Sequence, residues 1–124
     1  MIRSVILLAL IPAAPAVAQT QARMNQTAAA QHAAADVAMT RRWRSVYARM
    51  KQRDAQDRSR GGGFGYAAAA LASQRAWLQF RDRQCVAESG EFAGGSLQAM
   101  TQAQCLARLT RERTVQLANL LWDH

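Results

Sequence analysis

The sequence predicts a small all-α protein, an antiparallel bundle of three main helices with one disulfide. Apolar residues recur every three or four positions in three separate segments, which is the spacing of one helix face. Two glycine-rich segments separate these three, as connections between helices do. No segment alternates apolar and polar residues in the manner of a half-buried strand. Helices packed on helices are therefore the expected architecture.

The first 18 residues have the three-part pattern of a secretory signal. Arg3 precedes an apolar run over residues 5–11, and small residues close the segment at Ala16 and Ala18. The run is shorter than the roughly 20 residues that a transmembrane helix needs, so the chain is not expected to span a membrane. We expect residues 1–18 to be cleaved and residues 19–124 to form one exported domain, periplasmic or secreted.

The first helix is predicted over residues 22–56, which lack Pro and Gly and are rich in residues that tolerate a helix. Its predicted inner face comprises Ala29, His32, Asp36, Met39, Trp43, Tyr47 and Met50. Residues 57–65 contain four glycines and predict a mobile connection.

The second helix is predicted over residues 66–87 and the third from the end of the next loop to about residue 121. The loop, residues 88–96, contains three glycines. On the second helix the inner face comprises Leu71, Gln74, Leu78, Arg81 and Cys85, with Trp77 beside it. On the third helix it comprises Leu106, Leu109, Arg113, Leu117 and Leu120.

Three charged residues interrupt these faces, namely Asp36, Arg81 and Arg113. A buried charge without a partner is very costly, so we expect the three faces to bring one carboxylate to two guanidinium groups in a structural polar network. A ligand-binding cleft is the functional alternative, and solvated arginines on a helix of different phase are the third possibility.

The chain has two cysteines, Cys85 and Cys105. In an exported chain an even number of cysteines predicts a disulfide. A cross-link that closes a loop of this length stabilises by roughly 3 kcal/mol in the chain-entropy model. Two cysteines without a nearby histidine are too few ligands for a closed zinc site, so we expect no metal and no cofactor.

The formal charge of +8 comes from 15 arginines and a single lysine against eight acidic residues. This surplus favours anionic partners, and the arginine bias suits phosphate or carboxylate recognition. The base composition of the genome is an equally simple explanation of that bias. Six cations within 13 positions of the first helix form a candidate basic face: Arg41, Arg42, Arg44, Arg49, Lys51 and Arg53.

The run SQRAWLQFRDRQC at residues 73–85 resembles the signature of the LprI-like lysozyme-inhibitor N-terminal domain family. Further elements of that pattern are Met24-Asn25, Ala35-Asp36, the Gly-Gly-Ser at residues 94–96, Cys105, Leu109-Thr110 and Arg113. The resemblance covers about residues 21–121. It implies an exported helical domain that blocks a lysozyme or another peptidoglycan hydrolase by binding to it.

The chain departs from the family pattern at its cysteines. Thr27 stands where many relatives have a cysteine, and a second one nearer the N-terminus is also missing. These two absences imply the loss of one complete disulfide. Gln19 follows the predicted cleavage site, so lipid anchoring is not implied.

Enzymatic activity is not expected, and we assign no catalytic residue. His32 and His124 are the only imidazoles, no serine-histidine-acid set is apparent, and Glu88 and Glu91 fall on a loop rather than in a glycosidase pair.

The inhibitor hypothesis takes the loop between the two cysteines as the surface that enters the hydrolase cleft. A loop whose ends are fixed by a disulfide loses less entropy on binding. Phe92 is the predicted apolar anchor and Glu91 the charge partner. The complete candidate set is Glu91, Phe92, Gly94, Gly95 and Ser96.

Charge leaves a second hypothesis open. Animal lysozymes are themselves basic, so a positively charged inhibitor would associate with them slowly. The rival hypothesis is a cationic module that binds or scaffolds anionic envelope components, glycan or lipid, through the basic face, and binding of this kind weakens with salt. A solvated helix face with no ligand is the simplest alternative. Nucleic acid fits the charge but not the export signal.

Overall fold

The computed structural model describes residues 14–59 and 61–123, so residues 1–13 of the predicted signal lie outside the described residues. Within these ranges three α-helices follow one another: α1 Ala14–Gln56, α2 Tyr66–Ser89 and α3 Gln98–Ala118. A single 3₁₀ turn, Gly90–Phe92, stands between α2 and α3. No strand occurs in the described part of the chain. The predicted all-α fold of three main helices is confirmed.

The order of the contacts gives the helix directions. Residue numbers rise in the same direction along α1 and α3. Gln31 lines a groove with Gln104, and further along α1 Arg49 binds Asp123, which lies beyond the end of α3. Along α1 and α2, contacts run in opposite order. Asp36 meets Arg81, whereas Asp54 near the end of α1 meets Tyr66 at the start of α2. Each helix is therefore antiparallel to the next one in the chain.

Two clusters of buried residues lie in the core of the described part of the chain. The larger cluster lies around Val46 and Leu117, both fully buried, and also contains Met39, Met50 and Ala70. The smaller cluster lies at the cross-linked end and contains Cys85, Cys105 and Leu109. Trp77 packs against both clusters. The middle of α2 thus joins the two halves of the core.

The buried face of α1 is rotated slightly from the predicted one. Ala29 is exposed, and Trp43 and Tyr47 stack on each other at 5.2 Å between ring centroids along the flank of the helix. The prediction missed Val46 because it followed the larger aromatic rings. The residues that α1 actually buries are Ala28, Ala35, Met39, Val46 and Met50. Small alanines allow close approach of a neighbouring helix, while bulky rings cover its edge.

The connection before α2 is held by carboxylates of the preceding segment. Asp54 accepts hydrogen bonds from the backbone N–H of Tyr66 at 2.6 Å and of Ala67 at 2.9 Å, so it caps α2 from a distance. Asp57 accepts from the N–H groups of Phe64 and Ser59, each at 2.8 Å. The bonds from Phe64 and Ser59 hold the pKa of Asp57 below its usual range. The glycine-rich connection is therefore tied to the end of α1.

We expect Asp54→Ala to destabilise the fold by about 1–2 kcal/mol, because it removes a negatively charged acceptor from the first two N–H groups of α2. Urea unfolding followed by circular dichroism measures this. Asp123→Ala is the matched control, since that carboxylate is 91% exposed. Equal midpoints for the two variants would contradict the capping role.

Candidate functional site

The disulfide joins the last turns of α2 to the second turn of α3. Cys85 and Cys105 are bonded with their Cα atoms 5.5 Å apart, and both side chains are buried. The predicted disulfide is confirmed. It closes the segment that includes the candidate inhibitory loop, so that loop is attached to the smaller core cluster at its base.

The loop is short and internally hydrogen-bonded. The N–H of Ala93 donates to the Gly90 carbonyl at 3.1 Å, and the N–H of Gly95 donates to the Phe92 carbonyl at 2.9 Å. Gly94 has φ 78°, a left-handed conformation that suits glycine. Its N–H donates to the Gln98 side chain at 3.0 Å. The loop continues into α3 without a long unsupported stretch.

The candidate loop residues differ in exposure. Glu91, Gly94, Gly95 and Ser96 are exposed, whereas Phe92 is half-buried. Glu91 forms no ion pair among the described residues. An unpaired carboxylate and the accessible part of an aromatic ring therefore lie together on a cross-linked support.

Glu88 is part of a salt-bridge group between α2 and α3. Arg108 donates to the two carboxylate oxygens of Glu88 at 3.0 and 2.8 Å and lies 3.5 Å from Glu112. Hydrogen bonds from Gln84 and then from Arg108 hold the pKa of Glu88 below its usual range. This arrangement braces α2 against α3 on the outside of the disulfide.

Arg81 is the buried residue of the predicted network that contacts a carboxylate. Its Nη1 donates to Asp36 at 3.0 Å and to the Thr110 hydroxyl at 3.2 Å. Its Nε donates to Asp82 at 2.9 Å. The two carboxylate side chains are 47% and 61% exposed. One guanidinium thus connects all three helices while its acidic partners remain in contact with solvent.

Arg113 does not share this carboxylate, which differs from the predicted arrangement of one acid between two arginines. It donates instead to neutral acceptors, Gln74 at 3.0 Å, Ser73 at 3.0 Å and Gln116 at 3.3 Å. Burial lowers the pKa of Arg113. The separation follows from position, because Arg113 lies one turn beyond Thr110 and therefore faces an earlier turn of the antiparallel α2.

Trp77 lies close to both arginines. Its ring centroid is 5.3 Å from the guanidinium carbon of Arg81 and 5.6 Å from that of Arg113. Cations at this distance are attracted by the indole face. The buried polar residues and the ring that joins the two core clusters therefore form one unit, which holds the helices in register.

The six residues of the candidate basic face do not form one surface. Arg49 binds Asp123 at 3.1 Å, and Arg53 donates to the Trp122 carbonyl and lies over its ring. Lys51 lies 5.0 Å from the Tyr47 ring on another side of α1. Successive residues of an α-helix are rotated by about 100° around its axis. The six cations are therefore spread around much of the circumference of α1. Arg41, Arg42 and Arg44 remain exposed.

The described residues contain no group of three or more His, Cys, Asp or Glu side chains that could hold a metal ion. Among the same residues, no helix has the length and apolar character to cross a membrane. Of the two imidazoles, His32 is half-buried, and His124 lies outside the described residues.

The fold and this site define a small helical domain with a disulfide at the base of an exposed loop. A family model described as Lysozyme inhibitor LprI matches residues 13–117, so the chain belongs to the LprI lysozyme inhibitor family. The predicted family is confirmed. The chain is also 36% identical over 105 residues to Uncharacterized protein R02472 of Rhizobium meliloti (strain 1021), covering 84% of this chain and 76% of that protein. No solved structure matches the chain significantly.

We expect Arg81→Ala to cost about 2 kcal/mol or more, because it removes a buried side chain packed on Trp77 together with its hydrogen bonds. Asp36→Ala should cost about 1 kcal/mol, since its carboxylate is half exposed and Asp82 still pairs with Arg81. Arg83→Ala is the exposed control and should stay within about 0.5 kcal/mol of the wild type. Urea unfolding orders the three variants; a cost for Arg81→Ala no greater than that of Arg83→Ala would refute the structural role.

We expect the carboxyl group of Glu88 to titrate below its reference pKa of 4.5. A lowered folded-state pKa stabilises the fold above the unfolded value, and this stabilisation is lost as the pH falls through the folded value. Carbon-detected NMR titration reports the pKa directly. Gln84→Ala and Arg108→Ala should each raise the Glu88 pKa, whereas Arg111→Ala, an exposed control, should leave it in place. A Glu88 pKa insensitive to both test variants would contradict the contacts.

Proposed function

We propose that this protein is exported and inhibits a lysozyme-type peptidoglycan hydrolase by binding, with the cross-linked loop as its contact surface. Membership of the lysozyme inhibitor family supports the activity. The observation that supports the surface is the loop itself, because Glu91 is exposed and unpaired among the described residues while Phe92 is partly accessible.

Preorganisation is the physical argument for this loop. A segment that is ordered before binding loses less conformational entropy when it enters a cleft. Here the disulfide fixes the base, and backbone hydrogen bonds within residues 90–98 fix the turn. The loop can therefore present its side chains to a partner with little rearrangement.

Charge suggests how the contact would be made. The net charge is positive, so a basic lysozyme would be repelled at long range. Glu91 pairs with no arginine of the described residues, so it can pair locally with a cation at the rim of the cleft. Phe92 would supply apolar contact next to it, as aromatic anchors do at many interfaces.

Inhibition can be measured as a slower loss of turbidity when a peptidoglycan suspension is treated with lysozymes of several classes in the presence of this protein. We expect saturable inhibition by the wild type, and an increase of about tenfold or more in the half-inhibitory concentration for Glu91→Ala/Phe92→Ala, since it removes both the anchor and the charge. Phe80→Ala is the matched control, an aromatic residue on α2 that is 53% exposed.

The assay distinguishes two questions: whether the protein inhibits a lysozyme at all, and whether the loop is the surface that does so. No inhibition of any lysozyme class would refute the proposed function. Equal inhibition by wild type and the loop variant would refute the assignment of the loop alone. Circular dichroism of each variant checks that the fold is intact.

Export is tested separately by expressing the full chain in a bacterial host and measuring the mass of the protein recovered from the periplasm or medium. We expect a mature protein that begins at Gln19, because small residues at positions 16 and 18 fit the cleavage site of a signal peptidase. Recovery only from the cytoplasm, with residues 1–18 still attached, would contradict the signal.

A further inference from the structure

The acidic residues of this protein are almost all engaged within its own fold. All eight lie in the described part of the chain. Asp54 and Asp57 accept backbone hydrogen bonds around the connection before α2. The carboxylates that form ion pairs with arginine are those of Asp36, Asp82, Glu88, Glu112 and Asp123. Only Glu91 is left without such a contact among the described residues, and it lies on the loop.

Arg41 and Arg42 form no ion pair with a carboxylate of the described residues. Both are exposed, and both line a groove of about 260 Å³ between α1 and α3, together with Ala38, Ser45 and Thr114. Among the described residues, no acidic side chain lines this groove. Two guanidinium groups at one depression repel each other and raise the local positive potential. An anion placed between them would relieve that repulsion.

The two hydroxyl groups of the groove differ in their freedom. The hydroxyl of Thr114 donates to the Thr110 carbonyl at 3.0 Å and so forms part of a fixed wall. The hydroxyl of Ser45 is 3.5 Å from the Arg41 carbonyl, which is at the outer limit of a hydrogen bond. Ser45 can turn its proton toward a ligand at little cost. The groove therefore offers two cations and one available neutral donor.

We propose that this groove binds a phosphate group. A guanidinium presents a planar pair of N–H donors that matches two phosphate oxygens, and a phosphate has enough oxygens to engage both arginines and Ser45 together. The phosphate belongs either to an anionic lipid headgroup or to a soluble phosphate compound. The groove is open to solvent along the helices, so it can accept the group at the end of a larger molecule.

This site is distinct from the proposed inhibitory loop. Gln31 on α1 lies level with Gln104, next to Cys105 of the disulfide. Arg41 follows ten residues later, about 15 Å along the helix at 1.5 Å per residue. The phosphate site can therefore exist whether or not the protein inhibits a lysozyme, and each proposal can fail without the other.

The test uses the full-length protein in sedimentation with vesicles of phosphatidylglycerol and of phosphatidylcholine, and in NMR titration with inorganic phosphate. Arg41→Ala/Arg42→Ala is the test variant. Arg75→Ala/Arg83→Ala is its matched control, since it removes the same charge from exposed positions of α2. We expect the test variant to lose about tenfold or more in affinity and the control to lose about threefold or less, because local pairing outweighs a general change of net charge. Ser45→Ala should weaken binding by roughly threefold.

The vesicle and phosphate arms identify the source of the group. Binding to phosphatidylglycerol but not phosphatidylcholine, lost in the test variant, supports a lipid headgroup. Phosphate-induced shifts of the Ser45 and Thr114 amides without vesicle binding support a soluble phosphate compound. Equal weakening of the two double variants would mean diffuse charge attraction and would overturn the site, as would no binding to either probe by the wild type. Turbidity assays on the same variants show whether lysozyme inhibition is independent of phosphate binding.

Discussion

The indole ring of Trp77 lies 5.3 Å from the guanidinium carbon of Arg81 and 5.6 Å from that of Arg113, and it packs against both core clusters. The placement of the other helices depends on this arrangement. Arg81 reaches from α2 to Asp36 on α1 and to Thr110 on α3. Arg113 reaches from α3 back to Ser73 and Gln74 on α2. A charge needs a defined set of partners in a buried site, so these contacts restrict how far any helix can slide or rotate.

Sequence reasoning found the members of this group but not all of their partners. Arg81 and Arg113 were identifiable because each interrupts an apolar helix face, and the disulfide because two cysteines occur in a chain with an export signal. Which arginine meets Asp36 depends on the relative heights of all three helices, because Arg81 lies on α2 and Arg113 on α3. The periodicity of a single helix does not specify those heights. Of the neutral acceptors of Arg113, Gln74 lies on the predicted inner face of α2. Ser73 and Gln116 lie off the predicted faces and belong to residue types that are usually exposed, so the pattern gave no signal for them.

The errors on α1 and at the start of α2 have a similar cause. Alanine fits a buried or an exposed face, so the phase of an alanine-rich helix is set by its neighbours, and Val46 rather than the aromatic rings became the centre of the face. Asp54 caps α2 across the glycine-rich connection, and a capping residue twelve positions away does not follow the local capping pattern. The residues that interrupt a helix face could therefore be predicted from the sequence. The contacts between distant segments could be identified only in the folded bundle.

The distribution of charge links this architecture to function. Carboxylates are used for capping and for ion pairs inside the fold, which leaves Glu91 at the cross-linked loop and Arg41 with Arg42 at the groove between α1 and α3. A partner approaching the loop end would meet an unpaired carboxylate and an aromatic ring, whereas one approaching the groove would meet two cations. Two surfaces of opposite character thus lie on one helical bundle.

The most direct test of this account is the free energy of unfolding of Trp77→Ala, measured in urea and compared with that of Phe80→Ala, an exposed aromatic residue on the same helix. We expect a loss of about 3 kcal/mol for Trp77→Ala, because its partly buried ring packs on both core clusters. For Phe80→Ala we expect a change within about 0.5 kcal/mol. If Trp77→Ala does not fold, Trp77→Phe should fold with an intermediate loss. Similar small changes for Trp77→Ala and Phe80→Ala would contradict the central place of the indole and its two arginines.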